Sequence, residues 1–204
     1  MAYYPLLIQM EDLPCLIAGG GAIALHKAEV LLAQGARVTV VSPEVLPELE
    51  ALPVTVCCRR VAAGDVRGMT LVVDATGDSE AQALLERTCA GEGILFDSAC
   101  KVGAGSVIFP AVYRQGRTVL AVSSQGASPA ASAWLRDALA AHVPERMDEI
   151  LEQMARLRPL SREKLSRQED RRAFLHACLE AMLRTGGPLE EKEVCTILES
   201  FRDQ

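Results

Sequence analysis

The 204 residues carry 21 Lys/Arg against 27 Asp/Glu for a formal net charge of −6, and half are apolar while only 4% are aromatic. That length admits one full core plus a smaller appended unit. The acid excess sits entirely in residues 1–112, with 7 Lys/Arg against 13 Asp/Glu, and together with the scarcity of aromatic platforms it argues against nucleic acid as a partner. The seven cysteines (15, 57, 58, 89, 100, 178 and 195) are odd in number and form no C-x-x-C pair, so neither a disulfide framework nor a metal centre is expected. Reduced thiols point to the cytoplasm. The start MAYYP lacks the basic and apolar regions of a signal peptide, and no apolar stretch of about 18 residues suggests a membrane span.

In chain order, residues 13–18 read as a short buried strand, broken by Gly19-Gly20-Gly21 and followed by helix-compatible sequence over 22–34. Gly35 stands where a left-handed helix stop is wanted, and RVTVV over 37–41 resumes as a β-branched strand, completing a βαβ unit of about 30 residues. Further strands are predicted at 54–57, 70–75 and 94–96, with a helix over 79–90. Strands alternating with helices imply a parallel sheet covered on both faces, an α/β fold. After Ser106 the texture changes. SVIFPAVY and RTVLAVSS are β-rich and separated by Gln115-Gly116, an antiparallel connection, and Ser128-Pro129 reads as an N-cap with proline at the first helical position of a helix reaching about His142. Beyond Pro144 the pattern is helical. Met147, Ile150, Leu151, Met154 and Leu157 form an apolar stripe that packs either within the chain or against a second subunit.

The segment Gly19-Gly20-Gly21-Ala22-Ile23-Ala24 fits G-x-G-x-x-A between a strand and a helix. In that motif the first glycine permits the turn, the second lets backbone approach a pyrophosphate, and the small last residue lets the helix lie close to the sheet. Helix N-terminal amides, including those of Ala22 and Ile23, then face the phosphates. The second strand ends on Ser42-Pro43, where an acid for the ribose hydroxyls usually stands, with Glu44 two residues on; NAD is the expected cofactor. Thr76 and Gly77, at the end of the fourth strand, fall at the carboxyl edge where ligands of open α/β sheets collect. Asp78 reads as the cap of the following helix, Lys27 as a solvated helix residue, and His26, His142 and His176 as surface, capping or packing residues. Ser123, Ser124 and Ser128 have no His/Asp relay at recognisable spacing.

The opening YPLLIQMEDLPCLIAGGGAIALHKAEVLL, VTVVSPE, ATGD, SVIFPAV and SSQGASPAAS run in order over roughly the first 140 residues, and on these the chain resembles the precorrin-2 dehydrogenase family, also called the siroheme synthase N-terminal domain. The resemblance implies a Rossmann-like parallel-sheet domain (1–112), a small α+β dimerisation domain (113–143) and a helical C-terminal domain (144–204). It implies a homodimer that oxidises precorrin-2 to sirohydrochlorin with NAD, and, in some members, inserts ferrous iron into the product. It places the tetrapyrrole near residues 97–105, with Ser106, Ser123, Ser124, Gly126 and Ser128 as substrate contacts. Precorrin-2 carries eight carboxylates, for which Arg114, Arg117, Arg136 and the seven cations between 156 and 172 are candidate partners.

One departure stands out. Where the family has an aspartate that acts as acid or base on the tetrapyrrole, this chain has Cys100, and the nearest carboxylate is Asp97. Positions three apart on an extended strand point to opposite faces. Asp97 is read as the proton acceptor and Cys100 as a pocket thiol or a small buried hydrophobe. The loss of the acid weakens the expectation of metal insertion more than that of dehydrogenation.

Overall fold

The computed structural model describes residues 3–99, 101 and 103–201. They fall into two compact units, one running to Phe109 and including Gln125–Ala127, the other formed by Pro110–Ser124 and the chain from Ser128 onward.

In the first unit the strands are β1 (Pro14–Ala18), β2 (Arg37–Val41), β3 (Thr55–Cys57), β4 (Leu71–Asp74) and β5 (Leu95–Ser98), and the helices are α1 (Ala22–Leu32), the single turn α2 (Pro47–Glu50) and α3 (Ser79–Glu92). The sheet is wholly parallel, in the order β3-β2-β1-β4-β5. Because successive side chains alternate, the strands feed two cores. Cys15, Ile17, Val38, Val40, Leu71 and Val73 pack with Ala24, Ala28 and Leu31 of α1 on one face. Leu16, Ala18, Val41, Val72 and Phe96 pack with Leu85 and Cys89 of α3 on the other. This is the fold expected from the sequence. Gly35 takes the left-handed conformation at φ 79°, as the helix stop requires, and Asp78 caps α3 by accepting from the amides of Glu80 at 2.9 Å and Ala81 at 3.3 Å.

The second unit begins with an antiparallel hairpin, β6 (Ala111–Gln115) and β7 (Thr118–Val122), against which α4 (Pro129–Ala140) packs. The β-rich run from Ser106 therefore becomes strand only at Ala111, because Ser106 and Val107 are drawn onto β5: the Ser106 hydroxyl accepts from the Phe96 amide at 2.9 Å and the Val107 amide donates to the Phe96 carbonyl at 3.1 Å. Gly116 turns the hairpin at φ 50°, and a Cβ there would strike the Asp148 carboxylate, which accepts from the Arg117 amide at 2.9 Å. Helices α5 (Met147–Lys164), α6 (Gln168–Thr185) and α7 (Glu191–Glu199) share a core of Ile150, Leu157, Leu165, Phe174, Cys178, Met182, Val194 and Leu198. Met147, Ile150, Met154 and Leu157 of the apolar stripe on α5 thus pack within the chain, whereas Leu151 is not part of that core. His176 is exposed beside Glu180 at 3.5 Å rather than packed among its apolar neighbours. No helix of the described residues is long and apolar enough to cross a membrane.

Burial pushes the thiols of Cys15, Cys89 and Cys178 up to about 11, while Cys58 and Cys195 are exposed. Because the thiolate is the nucleophile, a thiol reagent at pH 8 is expected to modify Cys58 and Cys195 in the native protein and to reach the three buried thiols only on unfolding, as mass mapping of the labelled cysteines will show.

Candidate functional site

The strand order reverses between β1 and β4, and this switch point is where ligands bind in open parallel sheets. Gly19 leaves β1 at φ 118°, and a Cβ there would collide with the carbonyl of Ala75 just past β4. The motif gives Gly20 no role, yet a Cβ at Gly20 would collide with the carbonyl of Glu44, and its own carbonyl accepts from the Leu46 amide at 2.9 Å. Both glycines are demanded by packing, and only a three-dimensional neighbour reveals the second. Gly21 differs. Its φ of −90° and ψ of −168° suit any residue, and a Cβ would meet nothing within 4 Å. Folding alone does not call for glycine here, whereas backbone approach by a ligand does. Gly21 is also the N-cap of α1 without a capping side chain, and the first turn holds no acid, so the leading amides are left for an anion. Ala24 is fully buried, as a helix lying close to the sheet requires.

These glycines floor a cleft of about 680 Å³ walled by Ser42, Pro43, Glu44, Arg60, Thr76 and Asp78, among others. That size suits a cofactor site. Ser42 is only 7% exposed, yet its hydroxyl makes no hydrogen bond among the described residues. The Thr76 hydroxyl donates to Asp74 Oδ1 at 2.7 Å and accepts from the Asp78 amide at 3.1 Å, fixing the turn after β4. Asp74 Oδ2 and the hydroxyl of Ser98, on residues level with each other on β4 and β5, are buried with no hydrogen-bond partner among the described residues. Gly19, Gly21, Ser42, Pro43 and Thr76 all line this cleft. Ala22 and Ile23 begin the helix above it, both exposed, and Gly77 turns at φ 68° just past Thr76, outside the cleft lining.

Asp97 is buried on β5, and its Oδ2 accepts from the Lys27 ammonium at 2.8 Å. Lys27 is not solvated as its sequence context suggests: its side chain is 15% exposed, and Nζ lies 3.7 Å from the centroid of the Phe109 ring. A lysine among helix-surface residues gives no sequence signal of a partner 70 positions away. Ser106 binds the backbone of Phe96, one residue from Asp97. Cys100 lies outside the described residues. In the second unit the Ser124 hydroxyl donates to the Ser128 carbonyl at 3.0 Å and accepts from the Ser128 amide at 2.9 Å, and the Ser128 hydroxyl caps α4 by accepting from Ala131 at 3.1 Å. Ser123 is exposed, and Gly126 turns at φ 86°. A second cleft of about 490 Å³, on α5 and α6, is lined by Arg158, Arg162, Arg171 and Arg172 of the cationic segment. None of the four is ion-paired among the described residues.

The NAD(P)-binding family model NAD_binding_7 matches residues 6–111. The chain belongs to that family. NAD(P) is accordingly its cofactor class, and the open cradle at Gly21, the unpartnered Ser42 hydroxyl and the uncapped α1 fit such a group. Over 176 residues the chain is 35% identical to "Siroheme synthase 2" of Aeromonas salmonicida (strain A449), covering 85% of this chain and 37% of that protein. It is 31% identical over 204 residues to "Siroheme synthase" of Methylococcus capsulatus (strain Bath), covering 95% of this chain and 42% of that one. The chain thus spans less than half the length of these curated relatives. It shares the fold of a solved structure named "SirC, precorrin-2 dehydrogenase", with a TM-score of 0.71, 21% identity, and coverage of 99% of this chain and all of that one.

Since a side chain at Gly21 would meet open space in the fold, Gly21→Val is expected to lower the melting temperature by only about a few degrees, the cost of a poorer N-cap, while weakening dinucleotide binding by about tenfold or more, roughly 1.4 kcal/mol, in a fluorescence titration. Equal affinity would show that the pyrophosphate lies elsewhere.

Proposed function

We propose that this chain is an NAD-dependent precorrin-2 dehydrogenase that forms sirohydrochlorin. The observation that carries the reading is a dinucleotide cleft at the sheet's switch point, in a chain whose relatives bear the name siroheme synthase. The dinucleotide supplies a hydride acceptor; the substrate gives up a hydride and a proton, leaving sirohydrochlorin, NADH and H⁺. Substrate and cofactor carry most of this chemistry, so the protein's contribution is largely placement. Amides at the start of α1 hold the pyrophosphate, the Ser42 hydroxyl meets the adenosine ribose, and the Glu44 carboxylate on the same wall favours ribose hydroxyls over a 2′-phosphate, supporting NAD over NADP. With Asp97 Oδ2 held by Lys27, the released proton passes to water.

The same reading includes a homodimer joined through the hairpin and α4. Two strands alone make a marginal sheet, and Trp134, Leu139 and Val112 are 69%, 50% and 45% exposed there. Exposed apolar surface of this kind marks contact sites. Trp134→Glu is expected to shift the protein to monomer in sedimentation velocity, and a wild-type protein that sediments as a monomer at micromolar concentration would remove the dimer.

The activity is tested by adding precorrin-2 and NAD to the purified protein and following absorbance at 340 nm. NADH is expected to accumulate, faster with NAD than with NADP. A protein that binds NAD and yields no NADH would instead be a non-catalytic binder of the same fold.

A further inference from the structure

The acid at position 97 sits where an apolar residue would be expected. Ile17, Val73 and Asp97 lie side by side on β1, β4 and β5, on the face that α1 covers with Ala24, Ala28 and Leu31. A carboxylate buried in such a row requires a partner, and Lys27 supplies it at 2.8 Å from the helix whose N-cap, Gly21, lines the dinucleotide cleft. The Phe109 ring stacked over the same ammonium at 3.7 Å shields it further and holds it in place.

Asp97 is also where the chain that departs from β5 returns to it. Asp97 forms an antiparallel bridge with Gly105, the Phe96 amide donates to the Ser106 hydroxyl at 2.9 Å, the Val107 amide donates to the Phe96 carbonyl at 3.1 Å, and the Tyr3 hydroxyl donates to the Gly105 carbonyl at 3.4 Å. Backbone bonds thus tie the two ends of the segment 98–105 to each other, and among the described residues a single buried ion pair ties them to the cofactor helix.

We infer that Lys27 and Asp97 are a positioning pair that fixes the base of the 98–105 segment against the dinucleotide-binding helix, so that substrate held at the strand ends meets the cofactor in register. The inference rests on the dehydrogenase reading for its kinetic consequence, while its mechanical consequence stands without it. The Lys27 side chain is 15% exposed, and its ammonium is taken up by Asp97 and the Phe109 ring. Its removal therefore acts on turnover through geometry, for which a small misplacement is enough.

The test compares Lys27→Met, Lys27→Arg and Asp97→Asn in the full chain, by NAD titration, steady-state kinetics with precorrin-2 across pH, and amide hydrogen exchange. Lys27→Met is expected to lower kcat by about tenfold or more with KM and NAD affinity nearly unchanged, and to speed exchange in 98–105 by about tenfold while the α1 amides stay protected. Lys27→Arg keeps the cation and is expected to restore most of both. Asp97→Asn keeps an oxygen for Lys27 and is expected to lose less than Lys27→Met, with the shape of its pH profile unchanged. If Lys27→Met is poorly folded, the double variant Lys27→Met/Asp97→Leu removes the buried charge and is expected to show the same fast exchange in 98–105. Wild-type exchange in 98–105 in either of these Lys27→Met proteins, or undiminished kcat, overturns the pair. So does an Asp97→Asn protein that loses all turnover together with the acidic limb of its pH profile, which would make Asp97 the proton acceptor. A wild-type protein without turnover sinks the dehydrogenase reading alone, because the exchange comparison still decides the clamp.

Discussion

The molecule's first half is organised around the start of helix α1, where the backbone amides lack side-chain caps. Helix α1 opens on a glycine without a capping side chain or a nearby acid, directly at the point where the parallel sheet changes direction. Unsatisfied amides at a helix start carry partial positive charge and seek oxygen ligands. A parallel sheet buried on both faces holds that helix end rigidly, and the approaches of Gly19 to Ala75 and Gly20 to Glu44 bring the neighbouring turns close enough to form walls. The cleft follows from these contacts, and Ser42 and Glu44 come to line it because β2 ends beside β1.

The division of labour between the three glycines bears on the functional argument. Two of them are explained by collisions with carbonyl oxygens of their own chain, so they would be glycine in a protein that bound nothing. The third occupies ordinary extended conformation beside open space, so no collision requires glycine there, and its place as the N-cap of α1 suits Ser, Thr, Asp or Asn at least as well. It is this residue on which the proposed dinucleotide site, as against a glycine turn used only for packing, rests.

Much of this was legible in the sequence because it rests on local periodicity and turn chemistry. The β-branched run at 37–41, the glycine run after β1, the stop at Gly35 and the Asp78 cap each carry their reason within a few residues. What escaped depends on distant partners. Lys27 reads as a surface lysine until β5 brings Asp97 beneath it, Gly20 reads as a variable position until Glu44 is folded over it, and 106–110 reads as strand until Ser106 is drawn to Phe96. The apolar stripe on α5 identified a buried face correctly but not its cover, since Phe174 on α6 and Val194 on α7 lie one and two helices further along. The serines at 124 and 128 were visible as a motif, while their mutual hydrogen bonds, which give the loop its shape, required the chain to turn back at Gly126.

The central claim is that a dinucleotide pyrophosphate rests on the leading amides of α1. Its most direct test is a crystal structure of the protein grown with NAD. The account expects both phosphates within hydrogen-bonding distance of the backbone at 21–23, with the adenosine ribose against Ser42. Dinucleotide bound elsewhere, with the space above Gly21 filled only by water, would contradict it.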